Sequence, residues 1–152
     1  MKNLLKTLFV LVALTLIGCD KGDNTSRNTL LDVTPNNIAG EWQLESWCGT
    51  ALAEGCYVYI EFTRADRTFC IYQNIDSAEP RLRTGRYNIT IDAEFGAIIR
   101  GQYDYGAGDW AHRYIVDELT ADRMIWTAKD DPSDVSIYVR TTIPADIKKS
   151  NE

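Results

Sequence analysis

The chain has 152 residues, 45% of them hydrophobic, with 22 acidic against 16 basic side chains and a net charge of −6 at pH 7. That length suits one domain, and the apolar content with sixteen aromatic residues is enough for one packed core. The negative charge excludes nucleic acid and anionic headgroups as natural partners, because both repel an acidic surface.

Lys2 and Lys6 precede a nine-residue apolar run, Leu8 to Leu16, which leads into Leu16-Ile17-Gly18-Cys19. A positive start, a short apolar stretch and a small residue before the cut mark a secretory signal peptide. The run is too short to span a bilayer, which takes about 20 apolar residues. The cysteine directly after Gly18 resembles the lipobox of bacterial lipoproteins. That resemblance implies that residues 1–18 are removed and that Cys19, acylated with palmitate-type chains, becomes the N-terminus. The protein is then held at the membrane by lipid alone. Without residues 1–18, 134 residues remain, carrying 14 basic and 22 acidic side chains, a net charge of −8. Cys48, Cys56 and Cys70 also remain, and an oxidising compartment permits one disulfide among them.

Residues 19–37 are polar without a sustained apolar period and read as a lipidated flexible tether. Asp20 and Asp23 beside Lys21 resemble the surface-export signals of lipoproteins in gut Gram-negative anaerobes. A plain solvated linker fits the same residues equally well. The expected location is the cell envelope, at the outer membrane, on its periplasmic or its surface face.

From residue 38 to 143 the chain reads as strands throughout. Eight β-branched and aromatic runs alternate with turn clusters, at 40–47, 57–63, 68–73, 82–91, 97–103, 110–119, 123–128 and 135–142. No stretch of ten residues carries a helical period. Side-chain alternation fixes the hairpins. Phe62 pairs with Phe69 and Ile60 with Ile71; Ile89 pairs with Ile99 and Ile91 with Ala97; Leu119 pairs with Met124. For the last hairpin the alternation pairs Trp126 with Ile137 and Met124 with Val139. Eight sequential hairpin-linked strands avoid raw edges most simply by closing. The predicted fold is all-β, an eight-stranded antiparallel up-and-down β-barrel, followed by a short, polar, frayed tail at 144–152.

Gly40-Glu41-Trp42 opens the first strand, and Tyr114 to Trp126 forms a late hairpin. A G-x-W on the first of eight up-and-down strands resembles the lipocalin superfamily, and the late hairpin looks like that of lipocalin-like domains in small bacterial lipoproteins. The resemblance covers residues 38–142. It implies that Trp42 sits at the closed end near an arginine of the last strand, for which Arg140 is the candidate. The alternation, however, places Arg140 on the outer face with Ser136 and Tyr138.

If the chain enters at the closed end, the loops at 49–56, 74–81, 104–109 and 129–134 gather at the opposite end, the mouth. Tyr103, Tyr105 and Trp110 bracket the flexible Gly106-Ala107-Gly108 there and suit an apolar or sugar ligand, or cap the barrel against water. Cys48 and Cys56 flank the first mouth loop and are placed for a disulfide; Cys70 falls on the outer face as a free thiol. Nine arginines but one lysine, Lys129, lie between 40 and 142. Arg113 is expected on the inner face with Ile115, Asp117 and Leu119. There it would either pair with Asp117 or, with Tyr87 and Tyr103 nearby and Trp126 also a ligand-binding candidate, anchor the polar end of a ligand. The lone His112 is expected outward, and no catalytic, metal-ligating or cofactor motif is present. Asp130, Asp131 and Asp134 read as loop acids, and Asp76-Ser77-Ala78 resembles an O-glycosylation signal of the same anaerobes. Two readings follow, both non-enzymatic and monomeric. One is a lipid-anchored protein binding a small hydrophobic or amphipathic ligand. The other is a filled barrel that binds or inhibits another protein.

Overall fold

A computed structural model describes residues 29–75, 77 and 79–150. Residues 1–18, Cys19, the Asp20–Asp23 segment and two residues of the Asp76-Ser77-Ala78 motif lie outside the described set. Nine strands follow one another: β1 (Gly40–Trp47), β2 (Thr50–Ala51), β3 (Val58–Thr63), β4 (Thr68–Gln73), β5 (Arg81–Asp92), β6 (Gly96–Tyr103), β7 (Tyr114–Leu119), β8 (Arg123–Ala128) and β9 (Asp131–Arg140). They pair in the order β2-β1-β3-β4-β5-β6-β7-β8-β9, and β9 pairs back onto β1. Eight strands therefore close into an antiparallel barrel. β2 is a two-residue addition that bonds to the far end of β1 through Trp47↔Thr50 and Ser46↔Ala51.

The hairpin registers read from alternation are present for β3–β4, β5–β6 and the end of β7–β8: Phe62↔Phe69, Ile60↔Ile71, Ile89↔Ile99 and Leu119↔Met124. The β8–β9 register differs by one residue. Met124 faces Tyr138 and Trp126 faces Ser136, with an irregularity between Thr127 and Ala128. Ser136 and Tyr138 are buried inside, and Ile137 and Val139 take the outer parity. Arg140 shares the inner parity and reaches Trp42. The run at 110–119 also starts later than predicted, at Tyr114, because residues 110–113 leave the sheet.

Alternating inward residues fill the barrel. Trp42, Phe69, Ile99, Leu119 and Met124 are fully buried, with Phe62 and Tyr87 beside them. Gly85 sits where a Cβ would lie 2.7 Å from the Phe69 ring. A side chain there would displace the ring, so the glycine makes room for the large aromatic.

The segment read as a tether is ordered at its end. α1 (Pro35–Ile38) is capped by Thr34, whose Oγ1 accepts from Asn37 N–H at 3.2 Å, with Pro35 at the first helical position. Ile38 is buried against the barrel, and Leu31 N–H donates to Leu119 C=O at 2.8 Å. The tail is likewise ordered rather than frayed. Ile143 is buried, and α2 (Ala145–Lys149) lies over the outer face of β3 and β4. There Ile143 and Ile147 pack with Tyr57, Tyr59, Cys70 and Tyr72. Lys148 bridges Glu41 at 2.7 Å and Glu61 at 2.9 Å. A five-residue helix is too short to show a period, which is why the sequence read as coil.

Candidate functional site

The mouth of the barrel holds a cup of about 190 Å³. Its apolar wall comes from inward positions of β1, β3 and β4, chiefly Leu44, Val58, Ile60 and Ile71. Its opposite wall is aromatic: Tyr103, Trp110, Tyr114, Trp126 and Tyr138. These rings touch in series. Trp126 lies 4.8 Å from Tyr138, 5.3 Å from Tyr114 and 5.6 Å from Trp110 between ring centroids. Such tilted arrangements let one ring's edge meet another's face. Gly101 admits Trp110 to this stack, since a Cβ there would stand 2.1 Å from the indole.

Polar groups at the cup are few. Gln73, Ser136 and Asp134 line it, and Asp134 accepts from Trp47 Nε1 at 2.6 Å. The indole N–H groups of Trp110 and Trp126 are buried without an acceptor. Each such orphan costs about 1–3 kcal/mol. Burial, with Asp134 nearby, pushes the Tyr114 hydroxyl up to about 12, so it remains a neutral donor at physiological pH. Burial likewise pushes Tyr138 far up. The cup is thus uncharged apart from Asp134 at its edge.

Of the residues singled out from sequence, Tyr103, Trp110 and Trp126 meet at the cup. Tyr87 lies in the barrel interior, buried, with its hydroxyl 3.4 Å from Thr63 C=O. Tyr105 has φ +58 and is fully exposed at the loop tip, away from the cup. Arg113 does not point inward. A bulge between Val116 and Glu118 breaks the alternation of β7, so Tyr114 and Val116 face the interior while Arg113 and Asp117 face solvent. Asp117 accepts instead from the Thr127 hydroxyl. Arg113 lines a separate cleft of about 690 Å³ on the outer face of β5 and β6.

Cys48, Cys56 and Cys70 are all free thiols. The Cys48–Cys56 disulfide expected from their placement on either side of the mouth loop is not formed. Instead the chain turns sharply at Cys48 (φ +49) and Gly49 to lay β2 on β1, and the Cys48 thiol approaches Asp134 at 4.0 Å. The 129–134 loop acids are each engaged: Asp130 lies 2.8 Å from His112 Nδ1, and Asp131 accepts from the Ser133 hydroxyl at 2.6 Å. Among the described residues no group of three or more acids, histidines and cysteines is arranged to hold a metal ion. Sequence reasoning missed Tyr114, Ser136 and Tyr138 at the cup. Their signal was the period-2 pattern itself, displaced by the β7 bulge and the β8–β9 slip.

No family model matches the sequence, and no curated protein matches it. Two solved structures match the fold. One is a lipocalin-like protein from Bacteroides uniformis ATCC 8492, at 17% identity and a TM-score of 0.51, the match covering 69% of this chain and 99% of that one. The other, an NMR structure of a protein from the same strain, has 19% identity and a TM-score of 0.50, covering 74% of this chain and 94% of that one. The architecture is a lipocalin-like barrel.

Proposed function

We propose that the protein is a lipid-anchored envelope protein whose lipocalin-like barrel binds a small, partly apolar ligand at its mouth. The observation that carries this reading is the cup: an aromatic wall with a few polar groups at its edge, the usual make-up of a small-molecule site. At about 190 Å³ it is smaller than the ~300–1,000 Å³ of drug-sized sites. The ligand is therefore one ring, or the end of a longer molecule. An acceptor on it that reached Trp110 or Trp126 would relieve an orphaned donor. α1 and Trp42 sit at the barrel end remote from the cup, so a lipid on Cys19 would hold the mouth away from the membrane. His112, the one histidine of the chain, stands on the outer face beside Asp130 rather than in the cup.

Native mass spectrometry of residues 20–152, purified without detergent, tests this reading together with tryptophan fluorescence against short fatty acids, bile-type acids and simple indoles. A retained mass or a saturable fluorescence change at the cup is expected. No retained mass and no change across the panel would overturn it.

A second reading rests on a different observation. Met124, Phe62 and Tyr87 fill the barrel beneath the cup's Trp126 wall, and Trp47 stands exposed at the rim. A filled barrel with an aromatic rim residue suits docking of another envelope protein, and is favoured if the ligand panel is silent.

A further inference from the structure

The larger cavity, on the outer face, arises from a mismatch in strand pairing. β6 and β7 bond only at Ile98↔Ile115 and Ile99↔Tyr114. Pairing resumes as a single bridge, Gln102↔Asp109, with Trp110 N–H donating to Gly101 C=O at 2.9 Å. Between those points Arg100 and Gly101 face the four residues from Trp110 to Arg113. The surplus bows outward. Trp110 turns in over Gly101, whereas Ala111, His112 and Arg113 stand off the sheet as one wall. The opposite wall is the outer face of β5 and β6, where register sets Arg86 beside Gln102 and Asn88 beside Arg100.

Arg86, Arg100 and Arg113 converge on this space. All three are exposed, and none of their guanidinium groups has an ion pair or hydrogen-bond partner among the described residues. The other lining cation, Lys129, is held by Asp92 at 2.9 Å, and Asp130 is held by His112. Asp109 also lines the cleft, but one carboxylate does not offset three arginines, whose unpaired guanidinium groups repel one another. An anion brought into the cleft would remove that repulsion. Guanidinium forks grip carboxylate, sulfate and phosphate oxygens in pairs. Asn88 Oδ1 accepts from Arg67 at 3.1 Å, which leaves the Asn88 NH2 and the Gln102 amide as groups suited to hydroxyls. The volume lies in the range of small-molecule sites.

We infer that this outer cleft is a binding site for a small acidic saccharide, its carboxylate or sulfate groups held by Arg86, Arg100 and Arg113 and its hydroxyls by Asn88 and Gln102. The site opens on the outer face and shares only Trp110 and Ala111 with the cup.

Isothermal titration of the soluble domain tests the assignment with three probes: chondroitin 4-sulfate disaccharide, uncharged lactose and sodium sulfate. The disaccharide is expected to bind most tightly and to weaken as salt rises from about 20 to 200 mM, because the charges face solvent. The double variant Arg86→Gln/Arg100→Gln should lose about tenfold in affinity, and Arg113→Gln, outside any strand, should lose several-fold. Arg123→Gln, an arginine outside the cleft, should bind as the parent does. Thermal unfolding confirms that the variants fold. Absence of disaccharide binding overturns the proposal. Lactose or sulfate binding as tightly as the disaccharide, or an equal loss in Arg123→Gln, overturns it too.

Discussion

The Arg140 guanidinium lies over the Trp42 ring, 4.0 Å from its centroid, and spans the closed end of the barrel. Its three nitrogens donate to the carbonyls of Ala39 at 2.8 Å, Asn37 at 2.9 Å and Ala121 at 2.6 Å. Trp42 Nε1 donates to Ile38 C=O at 2.8 Å. One side chain thus ties α1, β1, β9 and the β7–β8 turn together. Lysine has neither the planar face nor the fork, so Arg140→Lys is expected to destabilise the fold by about 1–3 kcal/mol in urea titration. Gly40 has φ +112, and a Cβ there would stand 2.7 Å from Arg140 Nη1. Gly40→Ala should therefore destabilise as well, by backbone strain and by displacing that nitrogen. An unchanged urea midpoint for both variants would contradict this account.

Gly101→Ala tests the aromatic wall. The new methyl would occupy the space of the Trp110 indole, so the ring must leave the stack. Overpacking of this kind costs about 1–3 kcal/mol. Tryptophan emission should shift to longer wavelength as Trp110 meets water. Any ligand signal from the cup should fall with it. Emission identical to the parent would show that the ring adjusts in place.

The C-terminal clasp should be measurable through Cys70. α2 and Ile143 cover the face on which Cys70 packs, and burial raises the pKa of its thiol. Truncation after Thr142 is expected to speed modification of Cys70 by a thiol reagent markedly. Ile143→Ala should cost about 2–5 kcal/mol, as for other fully buried isoleucines. The ion pairs have a pH window. Burial pushes the Glu41 carboxyl up, but hydrogen bonds from Lys148 and from Ile143 N–H outweigh it, leaving its pKa below the ordinary value. That contribution is present above about pH 4.5 and is lost as pH falls through the lower folded value. The Lys148 pKa is raised, chiefly by its hydrogen bond to Glu41. Its contribution is present below about pH 10.4 and is lost as pH rises through the folded value. Cys70 protection should therefore persist across the neutral range and weaken in strong acid.

His112 offers a direct titration. Its pKa is raised, first by the hydrogen bond to Asp130; loss of solvation opposes this next, and the charges of Asp130, Asp134 and Asp131 add to the rise. A raised histidine stabilises the folded state fully below about pH 6.5 and loses that contribution as pH rises through its folded value. NMR titration of the single imidazole should give a value above 6.5, moving toward it in Asp130→Asn. An unperturbed value in the parent would refute the pairing.

Strand order and three of the hairpin registers were legible because Phe62, Phe69, Ile60, Ile71, Ile89 and Ile99 alternate cleanly against polar neighbours. β9 was misread for a physical reason. Its β-branched set, Val135, Ile137 and Val139, takes the outer parity, while Ser136, Tyr138 and Arg140 face inward, so hydrophobicity pointed to the wrong face. In β7 one extra residue at Asp117 reversed the parity of everything before it, Arg113 included. Period-2 reading assumes an unbroken ladder, and no residue type announces a bulge of this kind. The aromatic composition of the mouth was visible; which rings shared a face was not.

The seam between β1 and β9 sets the order of events in folding. Trp42 pairs with Arg140 and Gln43 with Val139, partners separated by about a hundred residues of chain. Every other strand pairing joins consecutive strands or, for β1 and β3, strands separated only by the two-residue β2. A ribosome releasing this chain can form the hairpins as they emerge, but β1 keeps a free edge until residue 140 is out. Closure is then the slow, entropically costly step. During that interval the exposed edge of β1 is the place where two nascent chains would exchange strands.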